Sequence, residues 1–127
     1  MSEIQFLNVD LELESKNDIS ILVNELAKKT TILHFDKDDY RHFARIEANS
    51  DITSPDQAIN HLCEQLESCS REALKQWLSC KKRTFDIGFQ SGRNPKCFNQ
   101  AIKSDTLLRI SAIDAGIEIT IYPLGNK

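Results

Sequence analysis

The stretch "FQSGRNPKCF", Phe89 to Phe98, sets a cysteine beside two cations, Arg93 and Lys96, among turn-forming residues. Cations lower a thiol's pKa and stabilise the thiolate, so Cys97 is a candidate nucleophile and Arg93 and Lys96 candidate anion holders. No histidine lies next to Cys97 in the chain, and an unreactive cysteine after a strand demands fewer coincidences. The four cysteines, Cys63, Cys69, Cys80 and Cys97, are spaced by 5, 10 and 16 residues, which matches no CxxC zinc pattern and no redox motif. Reduced thiols are expected, with Cys63 on the apolar face of a helix as a small hydrophobe.

His34 and His42 flank the polar turn "DKDD". A hairpin symmetric about Asp38 would set them face to face, but a metal needs a third ligand that the sequence does not place. No metal and no cofactor are expected. His61 and Cys63 are two apart on a helix and point to different faces, which argues against a thiol enzyme. Asp10, Glu12 and Glu14 alternate with apolar residues, which puts them on one wet strand face, with Glu47 on the same side. A general acid and base need contrasting environments, which several solvated acids lack. They form instead an acidic face able to attract a basic protein.

Lys81, Lys82, Arg83, Arg93, Lys96, Lys103 and Arg109 make the later half basic. Residues 1–72 carry 15 acidic against 7 basic side chains and residues 73–127 carry 4 against 9, so the halves hold −8 and +5. Phosphate binding is the functional reading of the basic half. The stacking candidates Phe85, Phe89 and Phe98 are mostly committed to a core by their spacing, so nucleic acid ranks below protein as a partner. The common phosphate-loop, dinucleotide, hydrolase-elbow and zinc-protease motifs are absent from the sequence.

The elements that must carry these residues follow from periodicity. Leu7, Val9, Leu11 and Leu13 alternate with polar residues, a strand with one buried face. Ile19, Leu22, Val23 and Leu26 share a helical face, with Ser15 or Asn17 as cap and Lys28 and Lys29 at the far end. "TTILHF" and "YRHFARIEA" read as a hairpin. Ser54-Pro55 starts a helix with Ala58, Ile59, Leu62, Cys63 and Leu66 inward. Ser70 starts another, with Ala73, Leu74, Trp77 and Leu78 on one side. Phe85, Ile87 and Phe89 alternate in a strand that ends at the loop holding Cys97, where Ser91, Gly92 and Asn94-Pro95 bend the chain. Ser104 caps a last helix with Leu107, Leu108, Ile110, Ala112 and Ile113 apolar, and Gly116 suits a left-handed C-terminal cap. Ile117, Ile119 and Ile121 then alternate in a final strand stopped by Pro123 and Gly125.

The order β-α-β-β-α-α-β-α-β with one-sided strands predicts an α+β two-layer sandwich, a mainly antiparallel sheet with helices on one face. Its first elements have the order of a ferredoxin-like core, to which an α-β is added. With 127 residues, 40% of them hydrophobic, a single domain over 1–127 is expected. No apolar run reaches the length of a spanning helix and the N-terminus lacks a signal-peptide pattern, so the expected location is cytoplasmic, with no membrane partner.

The segments "VDLELESKNDISILVNEL", "DQAINHLCEQLE" and "SDTLLRISAIDAGIEITIY", with Gly116 and Tyr122, resemble a bacterial family of small α+β domains of unknown function, over roughly Phe6 to Pro123. The resemblance implies the fold and transfers no catalytic residue. Such domains are similar in size and character to small cytoplasmic immunity proteins that neutralise toxins, which implies a non-catalytic role. The expectation is therefore a protein-binding domain using Asp10, Glu12 and Glu14 or the loop from Ser91 to Lys96. A small-ligand or enzyme site at Arg93 and Cys97 is the alternative, nucleic acid a weaker one, and a homodimer through the last strand or the hairpin stays open.

Overall fold

A computed structural model describes residues 3–49, 51–93 and 96–124. Among these, the chain forms β1 (Gln5–Ser15), α1 (Ser20–Leu26), β2 (Thr31–Lys37), β3 (His42–Glu47), α2 (Pro55–Glu67), α3 (Arg71–Ser79), β4 (Cys80–Gln90), α4 (Ser104–Ala112) and β5 (Gly116–Tyr122). The five strands make one sheet in the order β2-β3-β1-β4-β5. β1 pairs antiparallel with β3 and β4, β2 antiparallel with β3, and β5 parallel with β4. The first four strands therefore have the arrangement of the ferredoxin-like split unit, and the appended α4-β5 turns the sheet mixed at one edge. The fold expected from the element order is the one observed.

Alternation decides which face is buried. Val9, Leu11 and Leu13 of β1, Ala44 and Ile46 of β3, and Phe85 and Ile87 of β4 point to one side. There they meet Ile19, Leu22, Val23 and Leu26 of the α1 segment, Ala58, Ile59, Leu62, Cys63 and Leu66 of α2, Trp77 of α3 and Ile110 of α4 in one core. Each large side chain fully buried in this layer contributes about 2 kcal/mol. The Trp77 indole nitrogen donates to the Ile113 carbonyl at 2.9 Å, so its polar edge is satisfied inside the core.

Several expectations fail locally, each for a physical reason. Leu7 is exposed because a register shift between Phe6 and Asn8 reverses the alternation there, sending Phe6 inward. Leu74, Leu78, Leu107 and Leu108 are exposed, because short helices at the margin of the layer bury only a narrow stripe: Ala73 and Trp77 in α3, Thr106 and Ile110 in α4. The left-handed residue after α4 is Asp114 (φ 58°), while Gly116 has no positive φ and opens β5. Neither Ser15 nor Asn17 caps α1, where Asp18 accepts from the Ser20 amide at 3.0 Å, and Ser104 does not cap α4, which starts after Lys103. Ser54 and Ser70 do cap α2 and α3, accepting from the amides of Gln57 and Ala73. The bend expected at Asn94-Pro95 and the stop at Gly125 lie outside the described residues. Among the described residues no helix is long and apolar enough to cross a membrane.

Candidate functional site

The face of the sheet turned away from the helices is uncovered, and the even-numbered residues of β1 line its middle. Asp10 lies opposite Glu47 of β3 on one side and Asp86 of β4 on the other, and Asp86 lies opposite Glu118 of β5. Four carboxylates thus form a row across four adjacent strands, Glu47-Asp10-Asp86-Glu118. Directly opposed side chains in a sheet stand about 5 Å apart, and like charges in that relation are destabilising. Sequence periodicity shows that each acid faces outward. Only the strand order and register put them in line.

The electrostatic consequence falls on Asp10. Its partial burial first, then the Glu47 charge, push its carboxyl up from 3.8 to about 6; Arg45 opposes the shift, and Asp86 and Glu12 add to it. Asp86 accepts a hydrogen bond from the Thr120 hydroxyl at 2.7 Å, which fixes its orientation. Glu12, Asp86 and Glu118 bring carboxylate oxygens within 4.8 Å of one another, the group of three potential metal-ligating side chains among the described residues. Lys82 stands beside that group, its ammonium 2.9 Å from Glu12, so a cation of the chain itself already serves it.

A cleft of about 220 Å³ opens beside the row, lined by Leu7, Asn8, Asp10, Glu47, Asp86, Gly88 and Tyr122. Gly88 makes the notch: a β-carbon there would stand 3.5 Å from the Asn8 carbonyl oxygen and 3.5 Å from the Tyr122 ring. Leu7 and Tyr122 supply apolar walls and Asp10 and Asp86 an anionic floor. The arrangement accepts a long cationic side chain, stem against the walls and head on the carboxylates.

Glu12 and Glu14, expected to extend the acidic face, are instead neutralised. Glu12 pairs with Arg45 at 3.1 Å and Lys82 at 2.9 Å, and Glu14 with Arg41 at 3.0 Å and Lys81 at 3.9 Å. The larger cleft of about 570 Å³ on this face, with Glu12, Glu14, His34, Arg41, Arg45 and Lys82 in its lining, therefore carries both signs of charge. His34 does not face His42. It pairs with Arg45 and stacks on Phe43 with ring centroids 5.1 Å apart, while His42 pairs with Lys37. The turn centres between Asp39 and Tyr40, since Asp38 accepts the amides of Tyr40 and Arg41 at its mouth, which displaces the register from one symmetric about Asp38. His61 bonds the Lys29 carbonyl at 3.0 Å.

The basic half is dispersed rather than gathered. Arg83 turns to the helix side, donating to the carbonyls of Trp77, Cys80 and Asp114 and to the Asp114 carboxylate. Arg109 forks onto Glu67 at 3.0 and 2.6 Å and reaches Asn60 at 2.8 Å. Arg93, Lys96 and Cys97 are exposed on the connection after β4, outside the linings of both clefts of the open face. Within that connection Gly92 presses on the chain at Glu3 and Ile4, where a β-carbon would come within 2.8 Å of backbone, and the Ser91 amide bonds the Tyr122 carbonyl at 2.8 Å. Phe98 is partly exposed and packs edge-on against Phe89, 5.7 Å between centroids. Burial pushes the thiols of Cys63, Cys69 and Cys80 up to about 11, which keeps them protonated and unreactive at neutral pH. Comparison of the chain with protein-family models, curated proteins and solved structures finds no match.

Proposed function

We propose that the protein is a small non-catalytic binding domain that docks a basic protein on the open face of its sheet, taking a lysine or arginine of the partner into the Gly88 notch. The observation that carries this reading is the transverse row Glu47-Asp10-Asp86-Glu118. Like charges in three consecutive cross-strand pairs cost stability, and a cation seated on Asp10 and Asp86 relieves that cost only in a complex. The apolar walls of Leu7 and Tyr122 add desolvated area around the charge. An inhibitor of the immunity type, small and acidic at its docking face, is the form of binding domain that this chemistry favours.

The test is affinity capture from the cells that express the protein, with wild type, Asp10→Lys/Asp86→Lys and Gly88→Ala as baits at low and high salt. A basic protein should be retained by the wild type, lost by about tenfold or more with the double reversal, and weakened by the filled notch. Equal retention by the wild type and the double reversal at low salt would remove the acidic row from the interface.

A further inference from the structure

The core layer of the sheet runs one strand further than the helices that cover it. Ile117, Ile119 and Ile121 of β5 lie in register beside Phe85, Ile87 and Phe89 of β4 and so belong to the helix-side face. Phe85 and Ile87 are buried, yet the three isoleucines are 39%, 62% and 64% exposed. The crossover helix α4 explains the gap: Arg109 ties it to Glu67 and Asn60 of α2, and Thr106 ties it to Asp56, so it sits beside α2 and leaves β5 bare. The three side chains uncover roughly 300 Å², the scale of the largest apolar patch on an ordinary monomer.

The two sheet edges differ in how they are protected. β2 carries His34, Asp36 and Lys37 and a register shift between Ile32 and His34, devices that blunt an edge against further pairing. β5, "GIEITIY", has one charged residue, no lysine, no proline within it, and an unbroken register with β4. Among the described residues its outer backbone groups have no strand partner.

We propose that β5 pairs antiparallel with β5 of a second copy of this chain, joining two five-stranded sheets across a two-fold axis at Ile119. In that register Ile119 faces its own equivalent, Ile117 faces Ile121 of the second copy, and Glu118 faces Thr120 of the second copy. No like charges are opposed, which makes the strand self-complementary. Pairing seats the six isoleucines side by side on one face and buries their adjoining flanks together with the two strand edges, toward the roughly 1,200 Å² that a stable interface buries. The isoleucines lie on the opposite face of the sheet from Asp10, Asp86 and the Gly88 notch, so the pairing does not rest on that site being a docking surface.

Sedimentation of the full chain up to about 100 μM tests the pairing. The wild type should sediment as a dimer and Ile119→Lys as a monomer with an unchanged circular-dichroism spectrum, since the position is exposed. In a Cys97→Ser background, Ile119→Cys should cross-link to itself under mild oxidation and Ile117→Cys should not, because only Ile119 lies on the axis. A wild type that stays monomeric, a dimer that survives Ile119→Lys, equal cross-linking at both positions, or a different protein bound one-to-one at β5 would each overturn the proposal.

Discussion

Asp10 is the residue on which the open face turns. Its folded-state pKa of about 6 lies above its ordinary 3.8, so between these values the folded chain holds more protons than the unfolded one. The carboxyl's contribution is therefore most favourable below about pH 4 and is lost as pH rises through 6, leaving an ionised Asp10 as a cost at neutral pH. A rise from 3.8 to about 6 corresponds to about 3 kcal/mol, which solvent screening at this partly exposed position reduces to about 1–2 kcal/mol. Asp10→Asn should stabilise the protein by that amount at pH 7 and by almost nothing at pH 4, read from urea denaturation across the range. An equal gain at both pH values would mean that charge is not the cause. The outward orientation of Asp10 is legible from its alternation with Val9 and Leu11. Its neighbours Glu47 and Asp86 are 37 and 76 positions away, and no local pattern relates them.

Among the elements, the ends of the short helices are closed by side chains from other helices. α4 has no side-chain cap of its own. Asp56 of α2 accepts from the Lys103 amide at 2.9 Å and from the Thr106 hydroxyl at 2.7 Å, and Asn60 donates to Thr106 at 2.7 Å. α1 and α3 are joined in the same way: Gln76 accepts from the Leu22 amide at 2.9 Å, and Glu25 accepts from the Ser70 amide at 2.8 Å. Those Ser70 bonds hold the Glu25 carboxyl below its ordinary pKa. Asp56→Ala should thus lower stability by about 1–2 kcal/mol and speed amide exchange over residues 104–112 more than elsewhere. Uniform exchange throughout the chain would show that Asp56 does not hold α4 specifically. Ser54-Pro55 announces α2 because the capping oxygen is three residues from the Gln57 amide that donates to it, whereas the cap of α4 lies 47 residues upstream. The apolar stripes of α3 and α4 mislead for a related reason: a period marks which residues share a face, not how far the neighbouring layer extends over it.

Across the whole molecule, the −8 and +5 of the two halves do not survive as opposite poles. Lys82-Glu12, Lys81-Glu14 and Arg109-Glu67 stitch the basic half onto the acidic half, while among the described residues the four aligned carboxylates make no ion pair. The apolar excess gathers at β5. If β5 pairs with a second copy, the melting temperature of the wild type should rise with protein concentration while that of Ile119→Lys stays constant, since association stabilises the folded state by mass action. The sequence by itself determined the nine elements, most of their inward faces and the layered α+β class, because periods of 2 and 3.6 and neighbouring caps act within a few residues. Only the tertiary structure decided that four acids form a row, that His34 meets Phe43 rather than His42, and that β5 lies parallel at an uncovered edge. Those facts depend on strand order, on single-residue shifts of register and on the reach of one helix, and each joins residues whose separation in the chain gives no sign of their contact.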